Sequence, residues 1–366
     1  MTSFEARIAK SPVNNFNGIR LMLSMAVILS HAFPLSLGVG GEGMGEPLAA
    51  WTCQQQSLGS IAVSLFFLIS GMLVTASWLR SGTLWKFLMR RVLRIYPGYI
   101  CAIGFSGAVI WALCPDFRTE ATNSLSWPIQ VLKDCVFLTC RSPQWGGVFP
   151  HNPFPGGANG SLWTIQIEGA CYLLTAALGL CRLFKHRLLL LLATCAVLLA
   201  YQRGLFINPQ IGMQFPRFAT YYLLGMSVWL WRDRIPFSSL LALACLAGLV
   251  AASQFKPWFA VLFPVLGSYA ALWLAYAPPI PAFAWTRSTD LSYGTYLYAF
   301  PVQQIVAMHE TLRNPWVNFL VSVPVTLALA WLSWDFIEKR FLALKSRVVR
   351  DNTPDARDHG NIGPLQ

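Results

Sequence analysis

Apolar residues dominate this chain in long runs, separated by short polar gaps. Runs approaching the ~20 residues needed to cross a bilayer occupy 19–37, 58–79, 95–113, 162–181, 188–201, 215–230, 240–252, 258–276, 291–308 and 317–336. The pattern predicts an all-α, polytopic integral membrane bundle of about ten transmembrane helices. Runs 188–201 and 240–252 are short and would borrow flanking residues or lie obliquely. Of the polar gaps, 38–56 and 114–160 are long, and the second is rich in Pro, Asn and Gly over 143–160. That exceeds an ordinary connection and marks a functional loop. It closes on Asn159-Gly160-Ser161, with Ser161 placed to N-cap the helix that follows. No internal repeat is evident.

Charge orients the bundle. With both termini cytoplasmic, the inner gaps and tails collect all of the 27 Lys and Arg except Arg118, Lys133, Arg141, Arg203, Arg217, Lys256 and Arg313, as the positive-inside rule requires. Arg7, Lys10 and Arg20 precede the first run without a convincing cleavage site, so the first helix is expected to be retained. Residues 1–345 read as one membrane domain and 346–366 as a disordered cytoplasmic tail. No appended extracytoplasmic domain is expected.

Composition excludes a soluble alternative. Charged residues make up 11%, hydrophobic residues 55%, and mean hydropathy is +0.50, where a globular domain carries about 25% charged residues. The net charge of +12 would admit a nucleic-acid partner, but the basic residues sit in membrane-flanking gaps and form no stripe on a soluble domain. Of nine cysteines, Cys53, Cys114, Cys135 and Cys140 fall outside the apolar runs, where an oxidising face would allow disulfides of undefined pairing. No Cys/His spacing matches a zinc site, and no metal is expected.

Ionisable groups inside apolar spans are costly and therefore candidates for function. His31 follows Arg20 by eleven residues, which places both within about 20° of one helix face and roughly 16 Å apart along the axis. Counting from the outer edge of a ~30 Å core puts His31 roughly 12 Å deep and Glu168 roughly 9 Å deep. The matching depths predict a His31–Glu168 pair in which the carboxylate makes the imidazole a better base. Gln303 reaches a similar depth and could add a hydrogen bond. A structural His bonded to a neighbouring carbonyl is the bland alternative. Arg91 and Arg94, three apart, share a face where the third span begins, and their forks suit phosphate. Topology alone would also explain that cluster.

These residues lie in motifs that resemble the integral membrane acyltransferase-3 family, which includes O-acetyltransferases of exopolysaccharides, lipopolysaccharide O-antigens and nodulation factors. They are Phe16-Asn17-Gly18-Ile19-Arg20 with His31, Ser64-Leu65-Phe66-Phe67-Leu68-Ile69-Ser70-Gly71, and Arg90-Arg91-Val92-Leu93-Arg94-Ile95-Tyr96-Pro97. Asn159-Gly160-Ser161-Leu162-Trp163-Thr164-Ile165-Gln166-Ile167-Glu168, Leu291-Ser292-Tyr293-Gly294-Thr295-Tyr296-Leu297-Tyr298 with Pro301, and Phe336-Ile337-Glu338-Lys339 follow in family order. The chain departs from the family at Asn17, usually Asp; Leu21, commonly Gly; Gly169, often acidic; and Ala299, frequently His.

The resemblance implies transfer of an acyl group, usually acetyl, from cytoplasmic acetyl-CoA or another acyl-CoA to a hydroxyl of an extracytoplasmic carbohydrate, in a bacterial inner membrane. The acceptor would be an exopolysaccharide, lipopolysaccharide or lipo-oligosaccharide. His31 would act as general base, or as a transient acyl carrier, with Glu168 orienting it. Arg20, Arg91 and Arg94 would hold the donor, and Trp163, Tyr298 and Gln303 the acceptor. A transporter or flippase of a glycan or acyl donor is the rival, though it would commonly show internal repeats. A catalytically dead scaffold is a third reading.

Overall fold

The computed structural model describes residues 2–11, 13–38, 45–122, 126–138, 147–205 and 214–348. Among them the chain is helical, with one isolated β-bridge between Ser3 and Pro236 and no strand. The helices are α1 (Phe4–Lys10), α2 (Phe16–Leu37), α3 (Pro47–Trp51), α4 (Leu58–Ser81), α5 (Leu84–Leu113), α6 (Pro115–Thr122), α7 (Ser126–Phe137) and α8 (Trp163–Leu180). They continue as α9 (Arg187–Gln202), α10 (Gln214–Leu230), α11 (Ser239–Ala252), α12 (Trp258–Tyr276), α13 (Ser292–Ala307), α14 (Pro315–Ser333) and α15 (Lys339–Val348). A π-helical turn, Trp334–Glu338, joins α14 to α15.

Five helical stretches are long and apolar enough to cross a membrane: α2, α4, α5, α12 and Pro315–Leu344. The helices α9 and α11 are apolar but shorter. The remaining predicted runs are α8, which Gln166 and Glu168 make more polar, and the shorter α10 and α13. Local chemistry starts several of these helices. Side chains of Ser57, Thr83 and Ser238 cap α4, α5 and α11, and Asn314 caps α14 ahead of Pro315. The helix α5 begins at Leu84, so the Arg-rich segment is part of a 30-residue helix about 45 Å long.

Helices α4 and α10 pack backbone to backbone. A Cβ on Gly71 would fall 2.0 Å from the Tyr222 carbonyl oxygen, and one on Gly225 2.0 Å from that of Leu68. Only glycine permits that approach, the usual device for helix contact in lipid. The connections gather at two ends. At one, α1 bonds to Ile235 and Tyr276, Asn15 bonds to 274–280, and Arg187 pairs with Asp233. At the other, Gln55 bonds to Ser253 and Phe259, and Arg313 donates to the His151 carbonyl.

Segment 147–162 folds back into the bundle rather than capping it. Val148, Phe149, Asn152, Asn159, Ser161 and Leu162 are buried. Backbone at that depth needs partners, and side-chain amides supply them. Gln304 donates to the carbonyls of Phe154 and Gly157, both at 2.9 Å, and accepts from Asn152. Asn159 donates to the Leu297 carbonyl and Ser106. Helix α8 consequently starts inside the bundle. Ser161 does not cap it: its Oγ is buried without a partner, and Leu162 precedes the helix with no side-chain cap. The expected cytoplasmic tail, 346–366, lies outside the described residues from 349 on.

Candidate active site

Helix α2 carries two of the candidates, Arg20 near its start and His31 eleven residues further along. Near its start, Arg20 donates to Asp290 Oδ2 at 2.7 Å, and Arg94 of α5 reaches the same oxygen at 2.5 Å. Asp290 precedes α13, where its Oδ1 accepts from the amide and hydroxyl of Ser292. Burial alone would raise the Asp290 pKa, but Arg20 and then Arg94 hold it well below the usual carboxylate range. Two of the three expected donor-binding arginines thus meet on one carboxylate. The third, Arg91, donates to Ser77, stands over the rings of Phe87 and Tyr172, and has a buried Nε without a partner.

Glu338 closes this basic layer. The π-helical turn carries it inward, where Ser333 donates to its Oε1 and Tyr298 donates to Ser333. Its Oε2 is buried and unpartnered. A π-turn inside a helix frequently marks a functional position.

His31 stands at the other level. Its ring meets Phe300 edge-on at 5.6 Å, Phe300 in turn meets Phe154 of the inward-folded segment, and Nδ1 is buried without a partner. The expected His31–Glu168 pair is not formed. Glu168 accepts instead from Ser70 and Tyr172. A Cβ on Gly59 of α4 would lie 2.9 Å from the Ser30 hydroxyl, so that turn of α4 is level with His31. Ser70 is eleven residues further along, roughly 16 Å away and level with Arg20. The depth count fails because α8 begins below the bundle's edge, beneath segment 147–162.

Gln303 is fully buried, donates to the Ile28 carbonyl and Asn318, and leaves Oε1 unpartnered. Trp163 is half-buried against Phe218. Tyr298, by contrast, belongs to the Ser333–Glu338 chain. Sequence reasoning passed over Asp290, Glu338 and Tyr172. Asp290 abuts the 291–298 motif and Glu338 lies in the C-terminal one, which were the available signals.

Among the described residues no three His, Cys, Asp or Glu side chains gather as metal ligands. Cys53, Cys114 and Cys135 are free, and Cys140 lies outside the described residues.

Comparison with known proteins bears on this arrangement. The acyltransferase-3 family model, described as an acyltransferase domain, matches residues 13–335. An O-acetyl transferase of Shigella phage Sf6 is 29% identical over 345 residues, covering 91% of this chain and 97% of that protein. Nodulation protein 10 of Rhizobium leguminosarum bv. viciae is 27% identical over 369 residues, covering 92% and 95%. No solved structure matches the chain significantly.

Proposed function

Since the chain belongs to the acyltransferase-3 family and is a multi-pass membrane acyltransferase of groups other than aminoacyl, we propose that it moves an acetyl group from cytoplasmic acetyl-CoA to a carbohydrate hydroxyl on the far side of a bacterial inner membrane. Ten spans with both termini inside are the topology this requires. The segregation of connections to two ends and the Lys/Arg asymmetry support it. The acceptor is an extracytoplasmic glycan of the exopolysaccharide, lipopolysaccharide or lipo-oligosaccharide type.

The observation that carries the reading is the division of α2. A basic layer at Arg20 and an unpaired imidazole at His31 lie on one helix face, roughly 16 Å apart. The donor's phosphates are held at the basic layer by Arg20, Arg94 and Arg91, whose orphaned Nε fits such an anion. The pantetheine arm then extends along α2 toward His31. A neutral imidazole nitrogen takes the proton of the acceptor hydroxyl as its oxygen attacks the thioester carbonyl. The C–S bond breaks and the thiolate leaves with the bonding pair. Trp163 and Gln303 serve the acceptor side, whereas Tyr298 acts through Ser333 and Glu338 on the basic layer. Glu168 works at the donor level rather than on His31.

The test compares surface glycans by mass from cells with and without the protein. Glycans bearing extra acetyl groups only when it is present support the reading. Identical glycans in both would end it.

A further inference from the structure

At the basic level Glu168 and Glu338 are both free of any described ion pair or hydrogen bond to an arginine, but Glu338 is buried whereas Glu168 is only half-buried and so the more accessible of the two. Both of its hydrogen bonds, from Ser70 and from Tyr172 one turn along α8, fall on Oε1. Oε2 accepts none from the described residues. Tyr172 is itself fixed: it is 6% exposed, and the Arg91 guanidinium lies 5.5 Å from its ring centroid. One side chain therefore braces both an arginine suited to phosphate and a carboxylate whose second oxygen accepts no described hydrogen bond.

A carboxylate is the wrong group to meet a phosphate. It suits an N–H donor, and an acyl-CoA offers two amide N–H groups on the arm that leaves its phosphates. We propose that Glu168 Oε2 accepts a hydrogen bond from an amide of the donor's pantetheine arm, and that Tyr172 is the positioning residue that aims it. This rests on the acyl-CoA reading above. It gives the basic layer two ligand halves: nucleotide phosphates on Arg20, Arg91 and Arg94, and the arm on Glu168. Ser70, the last polar residue of the 64–71 motif, serves as the second brace.

The halves separate by ligand. Coenzyme A and adenosine 3′,5′-bisphosphate, which carries phosphates but no arm, are titrated calorimetrically into the purified full-length protein. Glu168→Gln and Tyr172→Phe are each expected to raise the coenzyme A Kd about ten-fold, as for loss of a charge-assisted hydrogen bond, and to leave the bisphosphate Kd unchanged. Arg91→Lys should weaken both ligands. The Glu168→Gln/Tyr172→Phe double variant should bind like either single one, since the two act through one contact. Equal weakening of both ligands, or of neither, in the Glu168 and Tyr172 variants overturns the arm subsite alone. A wild-type protein that binds neither ligand overturns the acyl-CoA reading and the subsite with it. If Glu168→Gln fails to fold, Tyr172→Phe, which removes a single hydroxyl and keeps the ring under Arg91, decides.

Discussion

Replacing Asp290 by Ala is the most informative single perturbation of the basic layer. The carboxylate is 8% exposed and its partners Arg20 and Arg94 are 21% and 18% exposed. Breaking a buried ion pair from one side costs about 3 to 5 kcal/mol, because the opposite charge is left uncompensated. Loss of the Ser292 amide's acceptor adds about 1 kcal/mol. The total, about 4 to 6 kcal/mol, is a large part of the roughly 5 to 15 kcal/mol that holds a typical domain folded. Thermal unfolding of the purified protein, followed by tryptophan fluorescence, should show a strongly lowered midpoint. Adding Arg94→Leu removes one stranded guanidinium, so the double variant should recover part of the loss. The pH dependence has a definite sign. A carboxylate held below its unfolded pKa of about 3.9 contributes stability that is fully present above that value and is lost as pH falls through the lower folded one. Asp290 thus adds no slope between pH 5 and 8, and its contribution disappears only in strong acid. An Asp290→Ala protein as stable as wild type, or strictly additive losses in the double variant, would refute the reasoning.

Other outcomes follow from the same geometry. Arg91→Lys and Arg94→Lys keep charge but lose the fork, so acetyl-CoA binding measured calorimetrically should weaken about ten-fold while membrane insertion persists. Gln304→Ala strands the carbonyls of Phe154 and Gly157; at about 1 to 3 kcal/mol per lost partner, protease cleavage within 147–160 should accelerate while donor binding is unchanged. Single cysteines at Gly82 and at the exposed His151 should react with an impermeant label only from opposite faces of the membrane. Labelling of both from one face would contradict the ten-span arrangement.

The apolar runs were legible because lipid demands length and continuity, and helices occupy every one of them. Arg20 and Arg94, far apart in sequence, were grouped on chemistry as donor-binding candidates, and in the structure both contact Asp290. That residue was missed because attention to charges inside spans ignores one just before a helix. Glu168 was misplaced because its depth was counted from the end of an apolar run, whereas α8 begins beneath a segment pinned by Asn152, Asn159 and Gln304. Such amides look like ordinary polar residues until the carbonyls they satisfy are located. The inward turn of Glu338 depends on a π-helical turn, which shifts side-chain direction off the 3.6-residue period that sequence reading assumes.

The central claim is that acyl-CoA on the cytoplasmic face donates, at His31, to a carbohydrate hydroxyl. Membrane vesicles of known orientation, loaded with acceptor glycan and supplied with radiolabelled acetyl-CoA on one side only, test it directly. Label should enter the glycan when acetyl-CoA meets the cytoplasmic face of wild-type vesicles. It should fail to enter with His31→Ala, a variant expected to insert and melt like wild type. Equal labelling by His31→Ala, or labelling only from the opposite face, would contradict the account.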